Sequence, residues 1–390
     1  MPHLTRRALA GALATAIVLL TAAPGALAQN PLTPQASATP SRDDRPRSAD
    51  SDAGVRPATD AELATAIDAF VTPLVGNDEF SGVVLVARGI TPIYLRAFGL
   101  ADRGLGVPNR TDTKFNLGSI NKLFTEIAVG QLLEAGKLSL TDTIGAFLPD
   151  YPNREAAAKV TVRQLLEMTS GIGDFFGDRF QTTPKSRLRG NADYLPLFAD
   201  KPLEFAPGTS NHYSNGGFVV LGLIIGKASG QDYYDYVLEH IFKPLGMAAT
   251  DSYDADAVVA NLASGYARPE PPAPLRSNIY TRPARGSAAG GGYSTAEDML
   301  RFSLALQSGK LLKPETVRAV FGEMRPEHPS GDLLAGRISG GWAGGAPGVN
   351  AFFEVDARAG TTIVALANLS PPSAGRVARR ISSWLQPPSR

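Results

Sequence analysis

No cysteine occurs in the 390 residues, so the chain builds no disulfide framework and no lipid-anchored N-terminal cysteine, and it must be held together by its core alone. Histidine is almost as scarce. Of the four present, His3 lies in the segment read below as a leader, which leaves His212, His240 and His328. A histidine-based triad would need one of these beside a serine and a carboxylate, and no Gly-x-Ser-x-Gly elbow occurs anywhere, which argues against an α/β-hydrolase. Metal catalysis is equally thin, because the chain has no HExxH and no pair of histidines at i, i+4. The glycine-rich stretches lack both the P-loop lysine and the Gly-x-Gly-x-x-Gly pattern of dinucleotide sites. No metal and no cofactor are therefore expected. Charge of one sign is missing too: 38 basic and 37 acidic residues leave a net charge of +1, with no basic face for nucleic acid and no acidic tail.

What is present begins with 43% hydrophobic residues, enough at this length to bury one large core or two smaller ones. Arg6 and Arg7 precede the uncharged stretch Ala8 to Ala23, and Ala26-Leu27-Ala28 follows as a small-x-small cleavage site. Pro24 and Gly25 interrupt the run before it is long enough to span a bilayer. Residues 1–28 read as a cleaved signal peptide, with the paired arginines suggesting twin-arginine export, and the mature protein is expected in the periplasm or secreted without a stable membrane anchor. Residues 29–57 are rich in Pro, Ser, Asp and Arg and poor in large apolar side chains, the composition of a disordered linker.

The folded region is expected over 58–390. It opens with a helix from Asp60 to Val75, where Leu63, Ile67, Phe70 and Leu74 recur at helical spacing. Strand-like runs follow at Ser81 to Ala87 and Pro92 to Phe98, then again only near the other end, at Ala351 to Val355 and Thr361 to Ala367, before a last helix from Ala374 to Leu385. Between lie helical patterns at Leu117 to Ala135, Thr161 to Met168, Phe218 to Ala228, Tyr233 to Phe242 and Thr295 to Gln307. The pattern predicts an α+β architecture: an antiparallel sheet built from both chain ends (58–115 and 290–390), with a mainly helical part inserted at 116–289. Arg268 to Arg285, dense in proline, reads as a surface loop. Ala289-Gly290-Gly291-Gly292-Tyr293 reads either as a tight loop close to a site or as a plain turn.

Ser119 and Lys122, in FNLGSINKLF, form the only Ser-x-x-Lys in the chain. At i, i+3 on a helix the two side chains share a face. A lysine can take the serine proton only in its neutral form, which burial or nearby positive potential favours. The helix opening supplies positive dipole, and Leu123, Phe124, Ile127, Ala128, Leu132 and Leu133 mark a helix apolar on most sides. The same opening leaves the Ser119 backbone N–H available to an oxyanion. Ser-x-x-Lys by itself is common, and the pattern alone favours a capping serine with a solvent-facing lysine.

Further motifs separate these readings. Tyr213-Ser214-Asn215 and then Gly341-Trp342-Ala343-Gly344-Gly345-Ala346-Pro347-Gly348 follow in order, with Phe80 to Leu85, Leu165-Leu166, Thr169 to Ile172, Phe242 to Met247 and Gly290 to Leu300 between and around them. In this order the chain resembles the class C β-lactamase and penicillin-binding-protein superfamily, particularly its esterase-like serine hydrolases. The resemblance implies that Ser119 is the acylated nucleophile and Lys122 the group that takes or shares its proton. It implies that Tyr213 serves proton transfer to the leaving group and from water, and that Asn215 orients substrate and lysine. The second oxyanion N–H would be that of Gly345, and Trp342 and Gly344 would line the substrate position.

The third motif departs from the superfamily's Lys-Thr-Gly, or its histidine variant, by carrying Trp342-Ala343-Gly344. A cation there would bind a substrate carboxylate. Its absence argues for neutral esters, as in the carboxylesterases of the superfamily, and Trp342 itself either contacts substrate or packs the cleft wall. The expected partner is thus a small-molecule ester. The alternatives are amide chemistry, as a β-lactamase or a D-amino-acid or cell-wall peptidase, and a non-catalytic penicillin-binding-like sensor.

Overall fold

The computed structural model describes residues 56–270, 273–322 and 337–386. The expected leader at 1–28 and all but the last two residues of the expected linker at 29–57 lie outside the described residues. The architecture is the expected α+β one. Strands β1 (Gly82–Arg88), β2 (Thr91–Phe98), β3 (Gly340–Ala346), β4 (Val349–Asp356) and β5 (Thr361–Ala367) form one antiparallel sheet in the order β2-β1-β5-β4-β3. Both chain ends therefore meet at its centre, where Leu85 of β1 stands opposite Val364 of β5.

The strand sequences explain their places. β1 and β5 are near-continuous apolar runs, GVVLVAR and TTIVALA, buried almost throughout, as strands covered on both faces must be. β2 is half-exposed and lies at one edge. The other edge, β3, is four-sevenths glycine, a composition with little strand propensity of its own. From the sequence no strand is expected here, the late strand runs being Ala351 to Val355 and Thr361 to Ala367. Pairing with β4 makes the segment a strand, with Trp342 opposite Phe353 and Gly344 opposite Ala351.

Helices α1 (Asp60–Gly76) and α5 (Ser373–Leu385) cover one face of the sheet. A capping box of Thr59 and Glu62 starts α1, and the buried stripe is Leu63, Ile67, Val71 and Leu74. Phe70, expected on that stripe, is half-buried and meets Trp384 edge-on with ring centroids 6.2 Å apart. The 3.6-residue repeat carries the stripe to Val71 instead.

Helices α2 (Lys122–Glu134), α3 (Asn215–Ser229) and α4 (Ala296–Ser308) belong to the core on the other face. The helix expected from Leu117 opens as a 3₁₀ turn, Gly118–Asn121, before α2 proper. Tyr233 to Phe242 is an α-helical segment, Tyr233–Val237, that widens into a π turn, Leu238–Phe242. Helices not anticipated also join this layer, among them Asn191–Phe198 and Pro314–Phe321. Over its described residues, Arg268 to Arg285 is a loop with a two-residue ladder, Tyr266–Ala267 against Arg276–Ser277, and leaves Ile279 and Tyr280 exposed.

Candidate active site

Ser119 stands in the 3₁₀ turn that feeds α2, and Lys122 is the first residue of α2 itself. The turn is locked by backbone packing. Gly118 holds φ of 53°, a left-handed conformation that glycine adopts without penalty. A Cβ on it would lie 2.8 Å from the nitrogen of Gly345, and a Cβ on Gly344 would lie 1.9 Å from the carbonyl oxygen of Leu117 and 3.0 Å from the Ser119 nitrogen. The glycine edge strand β3 is thus pressed backbone to backbone against the turn that carries Ser119. The glycine-rich 289–293 segment closes the third side: Gly291 N–H donates to Gly118 O at 3.3 Å, so the tight-loop reading of that segment holds.

The Tyr213 and Asn215 side chains enter from the start of α3, whose N-cap is Ser214, its hydroxyl accepting from Gly217 N–H at 2.8 Å. Tyr213 Oη lies 2.8 Å from Ser119 Oγ. Lys122 Nζ lies 3.4 Å from the same oxygen, and it donates to Asn215 Oδ1 at 2.7 Å and to the Ala289 carbonyl at 2.5 Å. Tyr213 and Lys122 therefore converge on one hydroxyl, and Asn215 and Ala289 hold the lysine there.

Lys122 is only 6% exposed, which rules out a lysine on the solvent face of a capped helix. Its ammonium end sits over the rings of Tyr213 at 4.7 Å and Phe218 at 5.3 Å. A neutral lysine amine carries two N–H groups and one lone pair. Lys122 Nζ thus faces three oxygens, Asn215 Oδ1, Ala289 O and Ser119 Oγ: an ammonium donates to all three, and after loss of one proton the amine keeps two N–H groups for the first two and a lone pair for the third.

Ser119, Lys122, Tyr213 and Asn215 come together, and the backbone of Gly344 and Gly345 adjoins them. Trp342 departs from the expectation of a substrate contact. It is 7% exposed and stacks on Phe353 with ring centroids 5.7 Å apart. Its six-membered ring lies 3.2 Å from where a Cβ on Gly340 would sit, so the indole folds along the strand away from Gly344. The physical reason is the pleat: Trp342 shares a sheet face with Phe353 and joins the core there. The position that carries a cation in β-lactamases is filled here by a core side chain.

One charged residue at the site went unnoticed in the sequence. Asp174, two positions beyond the Thr169 to Ile172 stretch, accepts from Asn215 Nδ2 at 2.7 Å. Burial pushes its carboxyl up from the usual range, against the hydrogen bonds from Phe176 N–H and Asn215 and the charge of Lys122. The available signal was an aspartate placed to bond a backbone N–H two residues on, an Asx turn, and this signal says nothing of a partner in α3.

A family model described as Beta-lactamase matches residues 67–386. Penicillin-binding protein 4* of Bacillus subtilis is 30% identical over 294 residues, covering 68% of this chain and 64% of that protein. Esterase EstB of Burkholderia gladioli is 31% identical, covering 66% of this chain and 73% of that protein. The chain thus spans less than two thirds of the first of these relatives. Among solved structures, a penicillin binding protein from Bacillus halodurans superposes with a TM-score of 0.71 at 32% identity, over 80% of this chain and 98% of that one. The span of the family model contains Ser119, Lys122, Tyr213 and Asn215, and the chain belongs to the Beta-lactamase family.

Proposed function

We propose that residues 58–390 form an exported serine hydrolase that acts on neutral esters through an acyl-enzyme, behind a cleaved leader (1–28) and a linker (29–57). The observation that carries this reading is the coordination of Lys122, whose buried Nζ is held by Asn215 Oδ1 and Ala289 O within 3.4 Å of Ser119 Oγ, the oxygen whose proton it would take. In the first step the Ser119 oxygen attacks the ester carbonyl while Lys122 takes its proton. The N–H groups of Ser119 and Gly345 hold the oxyanion. Collapse of the tetrahedral species expels the alkoxide, which receives a proton by way of Tyr213 and leaves as an alcohol. Water then gives up a proton along the same route, attacks the acyl carbon and releases a carboxylic acid, restoring the Ser119 hydroxyl.

The ester preference rests on position 342, where the sequence supplies tryptophan in place of a cation and the ring is turned into the core. A substrate carboxylate finds no counter-charge from that motif. Amide chemistry is the second reading, supported by similarity to a penicillin-binding protein and, at 26% identity, to a D-stereospecific amidohydrolase from Streptomyces. A fluorophosphonate probe tests the shared mechanism: one adduct on Ser119 is expected, and folded protein without one would reject both readings in favour of a non-catalytic binder. Turnover of p-nitrophenyl butyrate against a chromogenic cephalosporin then separates them. Ester turnover is expected to dominate, and comparable cephalosporin efficiency would favour the amide reading.

A further inference from the structure

Lys122 is held in place by Asn215 Oδ1, and this works only while the Asn215 amide keeps its oxygen towards the lysine. The two ends of a carboxamide are nearly isosteric, and a flip would turn N–H donors onto the lysine. Asp174 fixes the other end. Asn215 Nδ2 donates to Asp174 Oδ2 at 2.7 Å, and the Phe176 backbone N–H donates to Asp174 Oδ1 at 3.0 Å. Both oxygens of the carboxylate therefore face N–H donors. An ionised carboxylate satisfies both, whereas a carboxamide cannot, because one of its two heads is itself a donor.

The segment that carries Asp174 is clamped on both sides. On one side the Ser214 hydroxyl, at the start of α3, donates to Gly173 O at 3.2 Å. On the other, Phe175 is buried against Tyr194, with ring centroids 4.9 Å apart. The carboxylate is thus held at a fixed height against the asparagine rather than carried on a free loop end. Buried polar chains of this kind specify one arrangement when every member is satisfied.

We propose that Asp174 is a positioning residue of this site: through the Asn215 amide it fixes the lysine that takes the serine proton, without touching substrate. The inference rests on the serine-hydrolase reading above. It makes the working unit a chain, Asp174 to Asn215 to Lys122 to Ser119, in which the first link sets the orientation of the second.

The test compares wild type, Asp174→Asn, Asn215→Ala and the double variant for three quantities: the rate of fluorophosphonate labelling of Ser119, kcat and KM for p-nitrophenyl butyrate, and the thermal midpoint. Asp174→Asn is isosteric, and it is expected to slow labelling and kcat about 10- to 100-fold, the scale of one hydrogen bond to a charged group. KM should stay within about twofold. The double variant should be no slower than Asn215→Ala alone, because Asp174 acts through that amide. Should the carboxamide impair folding, Asp174→Ser, which also lacks the second acceptor, is expected to give the same pattern. Rates for Asp174→Asn within twofold of wild type overturn the proposal, as do losses that multiply in the double variant. A rate loss matched by raised KM and a collapsed thermal midpoint assigns Asp174 a merely structural part and overturns it too. If wild-type Ser119 takes no label, the hydrolase reading fails and this inference with it; a labelled wild type with an unaffected Asp174→Asn removes the positioning role alone.

Discussion

On one face of the sheet Val84, Val86, Ile363, Ala365 and Ala367 meet α1 and α5 through Ile67, Val71, Val377 and Ile381, an apolar layer in which none of Ser119, Lys122, Tyr213 and Asn215 takes part. On the other face Val83, Leu85, Val364, Leu366, Ala351 and Phe353 meet α2, α3 and α4. That second layer is just as well packed, with Phe124 edge-on to Phe242 and Phe302 at centroid distances of 4.9 and 4.8 Å. At its rim, however, packing is done by backbone and by polar atoms: the glycines of β3 against the Ser119 turn, and Lys122 among Asn215, Ala289 and Tyr213. The same strands serve both layers by simple alternation. The difference teaches that stability and chemistry are separable in this chain. Side-chain volume sustains the helix-covered face, while the site depends on places where volume must be absent.

This contrast can be broken in a graded way. The largest effect is expected for Ser119→Ala, which should lower ester turnover by about 10⁴-fold or more, on the scale seen when a nucleophile is removed, with a thermal midpoint near that of wild type; undiminished turnover would move the chemistry elsewhere. Next comes Gly344→Ala, whose methyl would sit 1.9 Å from Leu117 O. It should displace the strand and cost about 10²- to 10³-fold in kcat, the scale of a lost oxyanion donor, and a rate within threefold of wild type would show that the seam is slack. On the opposite face Ile67→Ala should do the reverse: about 2–5 kcal/mol less stable in denaturant melts, with kcat/KM of the folded protein unchanged. Trp342→Phe tests the boundary between the two behaviours. If the indole is a core side chain, the variant loses stability with KM held within about twofold, whereas a large rise in KM would restore it as a substrate contact.

The smallest effect concerns Glu354, on β4, whose carboxylate accepts from the Ser382 hydroxyl of α5 at 2.8 Å. Burial raises its carboxyl above the usual range, with Asp356 adding to the shift and the Ser382 bond opposing it. An acid with a raised folded value contributes its stability at low pH, below the unfolded value of about 4.3, and loses that contribution as pH rises through the folded value. Glu354→Gln should therefore raise the thermal midpoint by about one or two degrees at pH 7 and leave it nearly unchanged at pH 4. Activity should not move at either pH.

Much of this was legible in the sequence, and the reasons for success and failure are physical. The central strands declare themselves because a run such as GVVLVA has no soluble face, and α5 because its apolar positions keep a helical period. The Ser119, Lys122, Tyr213 and Asn215 cluster was legible because the order of motifs carries information that no single motif does. The strand character of Gly340–Ala346 was not, since its glycines read as a loop until β4 is there to pair with. The direction of Trp342 depends on strand register, which a motif does not encode. Asp174 meets Asn215 across 41 residues, a distance that neither spacing nor periodicity can span. Chemistry-bearing residues were thus visible where they sit in motifs, and hidden where a partner from another element gives them their part.

Intact-protein and peptide mass spectrometry, after brief exposure to a fluorophosphonate and to a panel of neutral esters and β-lactams, tests the central claim most directly. One phosphonyl adduct per chain is expected, mapped to Ser119, with transient acylation of the same residue by neutral esters in preference to carboxylate-bearing β-lactams. An adduct on any other residue, or folded protein left unmodified by every reagent, would contradict it.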